Sequence, residues 1–432
     1  MMKKMKLCLP VGWRMIKARY LFRFSRGYTI GRADMGDTGV ACIHYGDIHG
    51  DYHFAIDINT ARLGRIDEPL RFGVSEYVSA GQFLFAGSSE DYEGSGNFTL
   101  IRGNRSAIAG TDTIVLTPYS DMDVDYTAYL FDSLFFREQI RPHMMGTKVF
   151  HPSQKVIKSA WCIVPPQNES RQIVQYLNHE ILWIDGLIEK LRREVELLEQ
   201  YRRELIAHTV TRGLNPDASI QDSGIDWIGD GPSDWNHFSA KSLFVRRTEL
   251  ERKDDIHLTP SQTYGVIPQE DFIKLSGTKP TLKLSETSKM RHVEPGDFII
   301  HLRSFQGGLE LSGFQGKVSG AYTVITPREP SMVNHSYFKW LFKSSPFIRG
   351  LASLTNQLRD GQSINFTTFS RTSYLVPPIE QQQQIAEFLD MKTSRIDSTI
   401  SDINKQTALL GRYRKQVIND AVTGKIRVGK VA

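Results

Sequence analysis

Cysteine is scarce in these 432 residues. Cys8, Cys42 and Cys162 stand far apart, with no CxxC pair and no histidine at zinc spacing, so neither a disulfide framework nor a structural metal site follows. Long apolar runs are missing too, and nothing approaches the roughly 20 residues that cross a bilayer. Met1 to Lys6 is basic like the head of a signal peptide, but Pro10, Arg14 and Lys17 interrupt what should be its apolar stretch. The expected location is the cytoplasm.

Two demanding catalytic signatures are also absent. A methyltransferase acting on exocyclic amines carries an Asn/Asp-Pro-Pro-Tyr/Phe loop that grips the base. The Pro-Pro pairs here stand in Val164-Pro165-Pro166-Gln167 and Val376-Pro377-Pro378-Ile379. A nucleoside-triphosphate motor needs a glycine-rich loop whose amides and lysine cradle the phosphates. Gly316-Lys317 and Gly424-Lys425 lack both the upstream glycine and the following hydroxyl. The 12 histidines are scattered, with no evident Ser/His/Asp or metal arrangement. The sequence reads as that of a non-catalytic chain.

Acid is missing from the first 33 residues, which hold nine Lys or Arg, and Lys405 to Lys430 sets seven basic residues against Asp420 alone. The net charge of +5 is modest. Its clustering matters more, because basic patches release condensed counterions when they neutralise phosphates; a solvated, solubilising surface is the competing reading. With 40% apolar and 23% charged residues, the chain has the material for packed cores, and its length suits two domains.

The clearest positive signal is internal repetition. Residues 164–211 align without a gap on 376–423, with 16 identities in 48 positions, among them Gln172/Gln384, Ile173/Ile385, Asp185/Asp397, Tyr201/Tyr413, Arg202/Arg414 and Thr211/Thr423. A fainter echo pairs Pro10-x-x-Trp13 with Pro232-x-x-Trp235, followed by Ala18/Ala240, Leu21/Leu243 and Phe22/Phe244. Each half opens alike, passes through a body of its own, and closes alike.

The closing segments predict long helices. A Pro-Pro pair starts each one, and Leu177, Ile181, Ile184, Ile188, Leu191, Val195 and Leu198 then step by fours and threes. The second copy keeps the stripe with Leu389, Ile396, Ile400, Ile403, Leu410 and Val417. From 166 to 211 a helix would run about 69 Å. One stripe could belong to an ordinary core helix; two matching stripes point to an antiparallel coiled-coil pair. The expected fold is mixed α/β (α+β), with two globular domains at opposite ends of the pair, an internal pseudo-two-fold, and a C-terminus that returns near the N-terminus. The expected boundaries are 1–164 for the first domain, 165–212 for the central helix, 213–231 for a Gly- and Asp-rich linker, 232–376 for the second domain and 377–432 for the distal helix and basic tail. Candidate strands are Val40–Tyr45, Phe83–Ala86, Thr113–Leu116, Asp297–Leu302 and Ala321–Ile325; candidate short helices are Asp125–Arg137 and His335–Lys343.

Pro377-Pro378-Ile379-Glu380-Gln381, Gln384-Ile385-Ala386-Glu387-Phe388-Leu389-Asp390, Arg395-Ile396-Asp397, Leu409-Leu410, Tyr413-Arg414, Ile418 and Ala421-Val422-Thr423-Gly424-Lys425 closely resemble the helical region of the specificity subunit of type I restriction-modification systems. The first copy matches less tightly, through Pro165-Pro166, Gln172-Ile173, Ile184-Asp185, Tyr201-Arg202 and Val210-Thr211; Gly229-x-x-Pro232-x-x-Trp235 is similar to the family as well. The resemblance covers essentially the whole chain. It implies that each domain is a target-recognition domain reading one half of a bipartite DNA site, with the helix pair setting the spacer. It also implies partners: two modification subunits that methylate adenine with S-adenosylmethionine, and restriction subunits driven by ATP with Mg. None of these cofactors is expected on this chain.

Direct readout needs Arg, Lys, Asn, Gln or Ser/Thr at base edges, whereas phosphates need only positive charge. The candidates for bases are Arg141, His143, Thr147 and Lys148 in the first domain and Asn356, Gln357, Arg359 and Gln362 in the second, in polar loops before the closing helix. Arg23, Arg26, Arg246 and Arg247 are the phosphate candidates. Helix packing is expected from Leu177, Ile184, Ile188, Leu191, Leu198, Leu389, Ile396, Ile400, Ile403 and Leu410. Two rivals stand beside this reading: a free-standing DNA methyltransferase or nuclease of unfamiliar motif, and a coiled-coil scaffold with no DNA role.

Overall fold

A computed structural model of the chain describes residues 9–89, 92–120, 122–143, 150–279, 290–301, 304–354 and 364–428. It divides into two compact units, Met1–Leu191 with Lys405–Ala432, and Arg192–Asn404. Each unit therefore contains stretches of both long helices.

The first unit opens with β1 (Arg14–Lys17), α1 (Ala18–Leu21), β2 (Phe22–Arg26), β3 (Val40–Ile43), α2 (Tyr45–His49), β4 (Phe54–Asp57) and β5 (Arg65–Ile66). It continues through β6 (Phe83–Ala86), β7 (Phe98–Arg102), β8 (Ile108–Ala109), β9 (Thr113–Pro118), α3 (Val124–Asp132), α4 (Leu134–Ile140), α5 (Gln154–Ser159) and β10 (Trp161–Val164) to α6 (Gln167–Arg212). Its main sheet has the order β2-β9-β6-β7-β4, and a smaller one runs β5-β3-β8. All four residues of β6 are buried because the strand is covered on both faces: Phe83 and Phe85 enter the main core, Leu84 and Ala86 a second cluster with Ile43, Ile56 and Val115. Phe22, Phe83, Phe85, Phe98, Phe131 and Phe136 pack edge-on or tilted in that main core, the geometry that aromatic quadrupoles favour.

The second unit has β11 (Ile220–Asp222), β12 (Asp230–Pro232), β13 (Asn236–Ser239), α7 (Ala240–Leu243), β14 (Phe244–Arg246), β15 (Leu258–Ser261), β16 (Gly265–Pro268) and α8 (Gln269–Ser276). Then come β17 (Arg291–Val293), β18 (Phe298–Ile300), α9 (Ser304–Gly307), β19 (Glu310–Leu311), β20 (Gly316–Val318), β21 (Thr323–Pro327), α10 (His335–Lys343), α11 (Ser345–Ser353), α12 (Phe366–Phe369), β22 (Ser373–Val376) and α13 (Ile379–Val422). Its sheet runs β14-β21-β18-β19. The segment expected as a linker holds the β11–β12 ribbon, and its Trp227 packs on Phe347 and Tyr374 while donating to the Ser373 carbonyl at 3.2 Å.

The two units share a plan. In each, a first short strand pairs antiparallel with the strand before the long helix (β1 with β10, β13 with β22). The next strand forms an edge of the main sheet in matching register, Phe22 opposite Pro118 and Phe244 opposite Pro327. The helix expected over Asp125–Arg137 is two helices, because Ser133 turns extended and its hydroxyl caps α4 at Phe136 N. Ser344 does the same between α10 and α11, accepting from Phe347 N.

Within each unit the long helices run antiparallel. Trp13 donates its indole N–H to Glu169 at the start of α6 (2.9 Å), and a Cβ on Gly424, just past α13, would meet Pro10 at 2.5 Å. In the second unit Trp235 donates to Gln381 at the start of α13 (3.0 Å), and Gly213, just past α6, lies against the same indole. Both glycines have positive φ, 72° and 75°, which closes a helix at little steric cost. Leu177, Ile184, Ile188, Leu389, Ile396 and Ile403 are buried, whereas Leu191, Leu198, Ile400 and Leu410 are half-buried. The seam is not reserved for the helix pair. Ile173 to Ile188 and Val417 to Val422 belong to the core of the first unit, and Val210 with Ile385 to Leu389 to that of the second.

Candidate nucleic-acid interface

Edge strands carry three of the four arginines expected on phosphates, Arg23, Arg26 and Arg246. Arg23 on β2 pairs with Glu76 at 3.1 Å, both half exposed, a contact that adds little stability. Arg26 on β2 and Arg246 on β14 are exposed and have no ion pair among the described residues. Arg247 is held inside: its guanidinium grips the buried Asp297 in two hydrogen bonds, 2.7 and 3.0 Å, and the bond to Asp297 raises its already high pKa.

Sequence reasoning missed the aromatic partners of the basic face. Beside β2, Lys158 on α5 lies over Phe24 (5.3 Å) and Lys17 over Trp161 (5.0 Å), next to exposed Arg19, Tyr20 and Lys155. Interleaved cations and exposed rings suit phosphates and bases together. The lysines and rings were legible, but residues 17–24 and 155–161 are far apart until α1 and α5 meet.

Of the base candidates, Arg141 and His143 lie in a 3-10 turn after α4. His143 is exposed; Arg141 donates to the Glu93 carbonyl and lines a cavity of about 190 Å³ with His53, Asn97, Asp132 and Arg137. Thr147, Lys148, Asn356, Gln357, Arg359 and Gln362 lie outside the described residues.

Behind Arg141 is an ionic cluster. Asp132 pairs with Arg137 at 3.0 Å and Arg414 at 3.5 Å and meets His53 at 3.4 Å. Burial opposes its charge, yet the His53 hydrogen bond and the Arg137 and Arg414 guanidinium groups hold the carboxyl well below its usual range. Arg414 also grips Asp185 at 2.9 Å. Its repeat counterpart Arg202 grips Asp397, also at 2.9 Å, and lies over Trp340. A further matched pair ties bodies to helix ends: the Tyr126 hydroxyl donates to the Val422 carbonyl and that of Tyr337 to Val210, each at 3.1 Å.

Among the described residues no group of three His, Cys, Asp or Glu side chains could hold a metal, and no helix is long and apolar enough to cross a membrane. What is built twice is the mount that joins each body to the long helices.

No family model matches the chain. It is 22% identical over 386 residues to the putative type I restriction enzyme MjaX specificity subunit of Methanocaldococcus jannaschii, covering 86% of this chain and 84% of that one. The MjaVIII specificity subunit of the same organism is also 22% identical, over 69% of this chain and 70% of its own. Among solved structures, the HsdS subunit from Thermoanaerobacter tengcongensis superposes with a TM-score of 0.53 at 14% identity, over 98% of this chain and 100% of that one. A chain solved in work on complex assembly and conformational transition of the type I R-M system gives 0.64 at 14% identity, over 97% and 99%. Across most of its length the chain is similar in sequence to curated type I restriction enzyme specificity subunits, and across nearly all of it the chain shares the fold of a solved HsdS subunit.

Proposed function

We propose that the chain is the non-catalytic, sequence-reading subunit of a type I restriction-modification complex. Each unit reads one half of a bipartite DNA site, and the helix pair sets the unread spacer and docks two modification subunits. The observation that carries this is the doubled plan: two bodies with different surfaces, each joined to the long helices through the same Trp and Tyr contacts, with matching Arg–Asp pairs between the helices. Different surfaces on a common mount suit two different half-sites. Arg26, Arg246 and the Lys17–Lys158 face supply phosphate contacts.

The cofactors of such a complex reside in its partners on this reading: S-adenosylmethionine in the modification subunits, ATP and Mg in the restriction subunits, all working in the cytoplasm. The test is a methylome. A host carrying this chain with its modification subunit gains one bipartite methylated motif, and deletion of the chain erases it. Methylation that persists without the chain overturns the proposal, as does turnover by the purified chain alone with S-adenosylmethionine and DNA.

A further inference from the structure

A second cavity in the first unit, of about 470 Å³, is bordered among the described residues by Arg32, His44, Tyr45, Gly46, His49, Ser89 and Asn97. That volume is in the range of small-ligand sites, roughly 300–1,000 Å³. Its walls are fixed by their own hydrogen bonds. His44 is 7% exposed; its backbone N–H is held by Asp47 at 2.7 Å, and its Nε2 lies 2.9 Å from the Ile30 carbonyl. A carbonyl only accepts, so the proton is on Nε2 and Nδ1 is an acceptor. That Nδ1 is buried and has no hydrogen-bond partner among the described residues, a rarity in folded proteins.

The neighbouring His49 and Asn97 are paired to each other and to the surrounding backbone and side chains. His49 donates from Nε2 to the Ser88 carbonyl (2.6 Å), leaving Nδ1 to accept from the Asn97 amide (3.1 Å). Asn97 Oδ1 accepts from Arg137 at 3.0 Å, so one amide N–H of Asn97 is left over. The Tyr45 ring stands between those of His44 and His49, at 5.4 and 6.4 Å. Arg32 lies across Gly46, where an added Cβ would meet its guanidinium at 2.9 Å. Among the described residues the lining thus offers the His44 Nδ1 acceptor, an Asn97 N–H donor, the Tyr45 ring, the Arg32 cation and Ser89, and no carboxylate.

A proton-free anion such as sulfate would leave the His44 acceptor unmatched, and an aliphatic ligand would leave donor and acceptor both unmet. A nucleobase offers N–H and lone-pair groups on one edge, a π face, and a phosphate one linkage away. The described ends of the loop chosen above for base reading converge here. Phe150 exchanges two backbone hydrogen bonds with Ser89 (2.8 and 2.7 Å), and Arg141 donates to Glu93, both on the segment that leads to Asn97.

We propose that this cavity is a nucleobase pocket that holds one base of the DNA site after it has left the helical stack. His44 Nδ1 accepts from the base, the Asn97 amide donates to it, and Arg32 meets the adjoining phosphate. Removal from the stack follows from shape, since a paired base cannot enter a concave site. The pocket rests on the DNA-reading function proposed above, and the two fail differently.

The experiment uses the complete complex with its modification subunits and duplexes that carry 2-aminopurine at successive positions of the methylated motif. One position other than the methylated base brightens on binding. His44→Phe and Gly46→Leu abolish that signal and weaken binding about ten-fold, while His44→Gln, which keeps a donor and an acceptor, retains both. Absence of such a position with the wild-type complex, or a signal unchanged in the variants, overturns the pocket. If His44→Phe does not fold by circular dichroism, Gly46→Leu decides, because a Cβ at that position meets only the flexible end of Arg32. A wild-type complex that binds all duplexes equally overturns DNA reading itself.

Discussion

Asp132 is the residue on which the ionic cluster of the first unit turns, since Arg137, with a side chain only 7% exposed, depends on it for a countercharge. Asp132→Asn leaves that guanidinium buried and unpaired, and the expected cost is about 3–5 kcal/mol, read from chemical denaturation. Because the folded carboxyl titrates below its unfolded value, its contribution is complete above the ordinary carboxylate range and is lost only as pH falls through the depressed folded value. His292 in the second unit behaves oppositely. It is fully buried, with Nδ1 2.8 Å from Asp255 and Nε2 2.8 Å from Glu294. Burial lowers its pKa, but the Glu294 and Asp255 hydrogen bonds prevail and raise it. Its stabilisation is therefore full below the unfolded histidine value of about 6.5 and declines as pH rises through the higher folded value. Thermal melts across this range show a falling midpoint that His292→Gln flattens; parallel curves for the two proteins would refute the assignment.

Helices were the most legible elements because periodicity is written along one dimension. The stripe from Leu177 to Ile188 and the Pro165-Pro166 start foretell α6 almost to the residue. Capping was legible but unread: Asp123 and Asn334 each cap a helix three residues before Tyr126 and Tyr337, and both copies continue Tyr-x3-Leu-Phe-x-Ser-x2-Phe. A self-comparison at an offset of 211 exposes it, and with it the sites that receive the helix ends. The His44 cavity left no such trace, since residues 32, 44, 49 and 97 meet only after the sheet forms, and most of their partners are backbone carbonyls without a sequence signature. At this scale the spacer proposal makes a metric prediction. One matched heptad inserted in both α6 and α13 lengthens each by about 10 Å, which is about three base pairs at 3.4 Å each, so the methylated motif should widen its gap by that amount. A gap that stays constant refutes the ruler and leaves DNA reading standing.

For the molecule as a whole, binding through phosphates predicts a steep salt dependence, with log affinity falling linearly in log salt. Filter binding of the assembled complex between about 50 and 200 mM salt should show this, and removing the charges of Arg26 and Arg246 together should reduce the slope by about two. A flat response favours a scaffold. The first unit is closed by residues from the far end of the polypeptide: Asn419 accepts from the Phe135 amide, Val422 from the Tyr126 hydroxyl, and Gly424 rests on Pro10. Ribosomes deliver roughly 5–20 residues each second, so the earliest-made body waits some tens of seconds for its last pieces. A message that stops short of codon 405 therefore spoils the beginning of the product as well as its end.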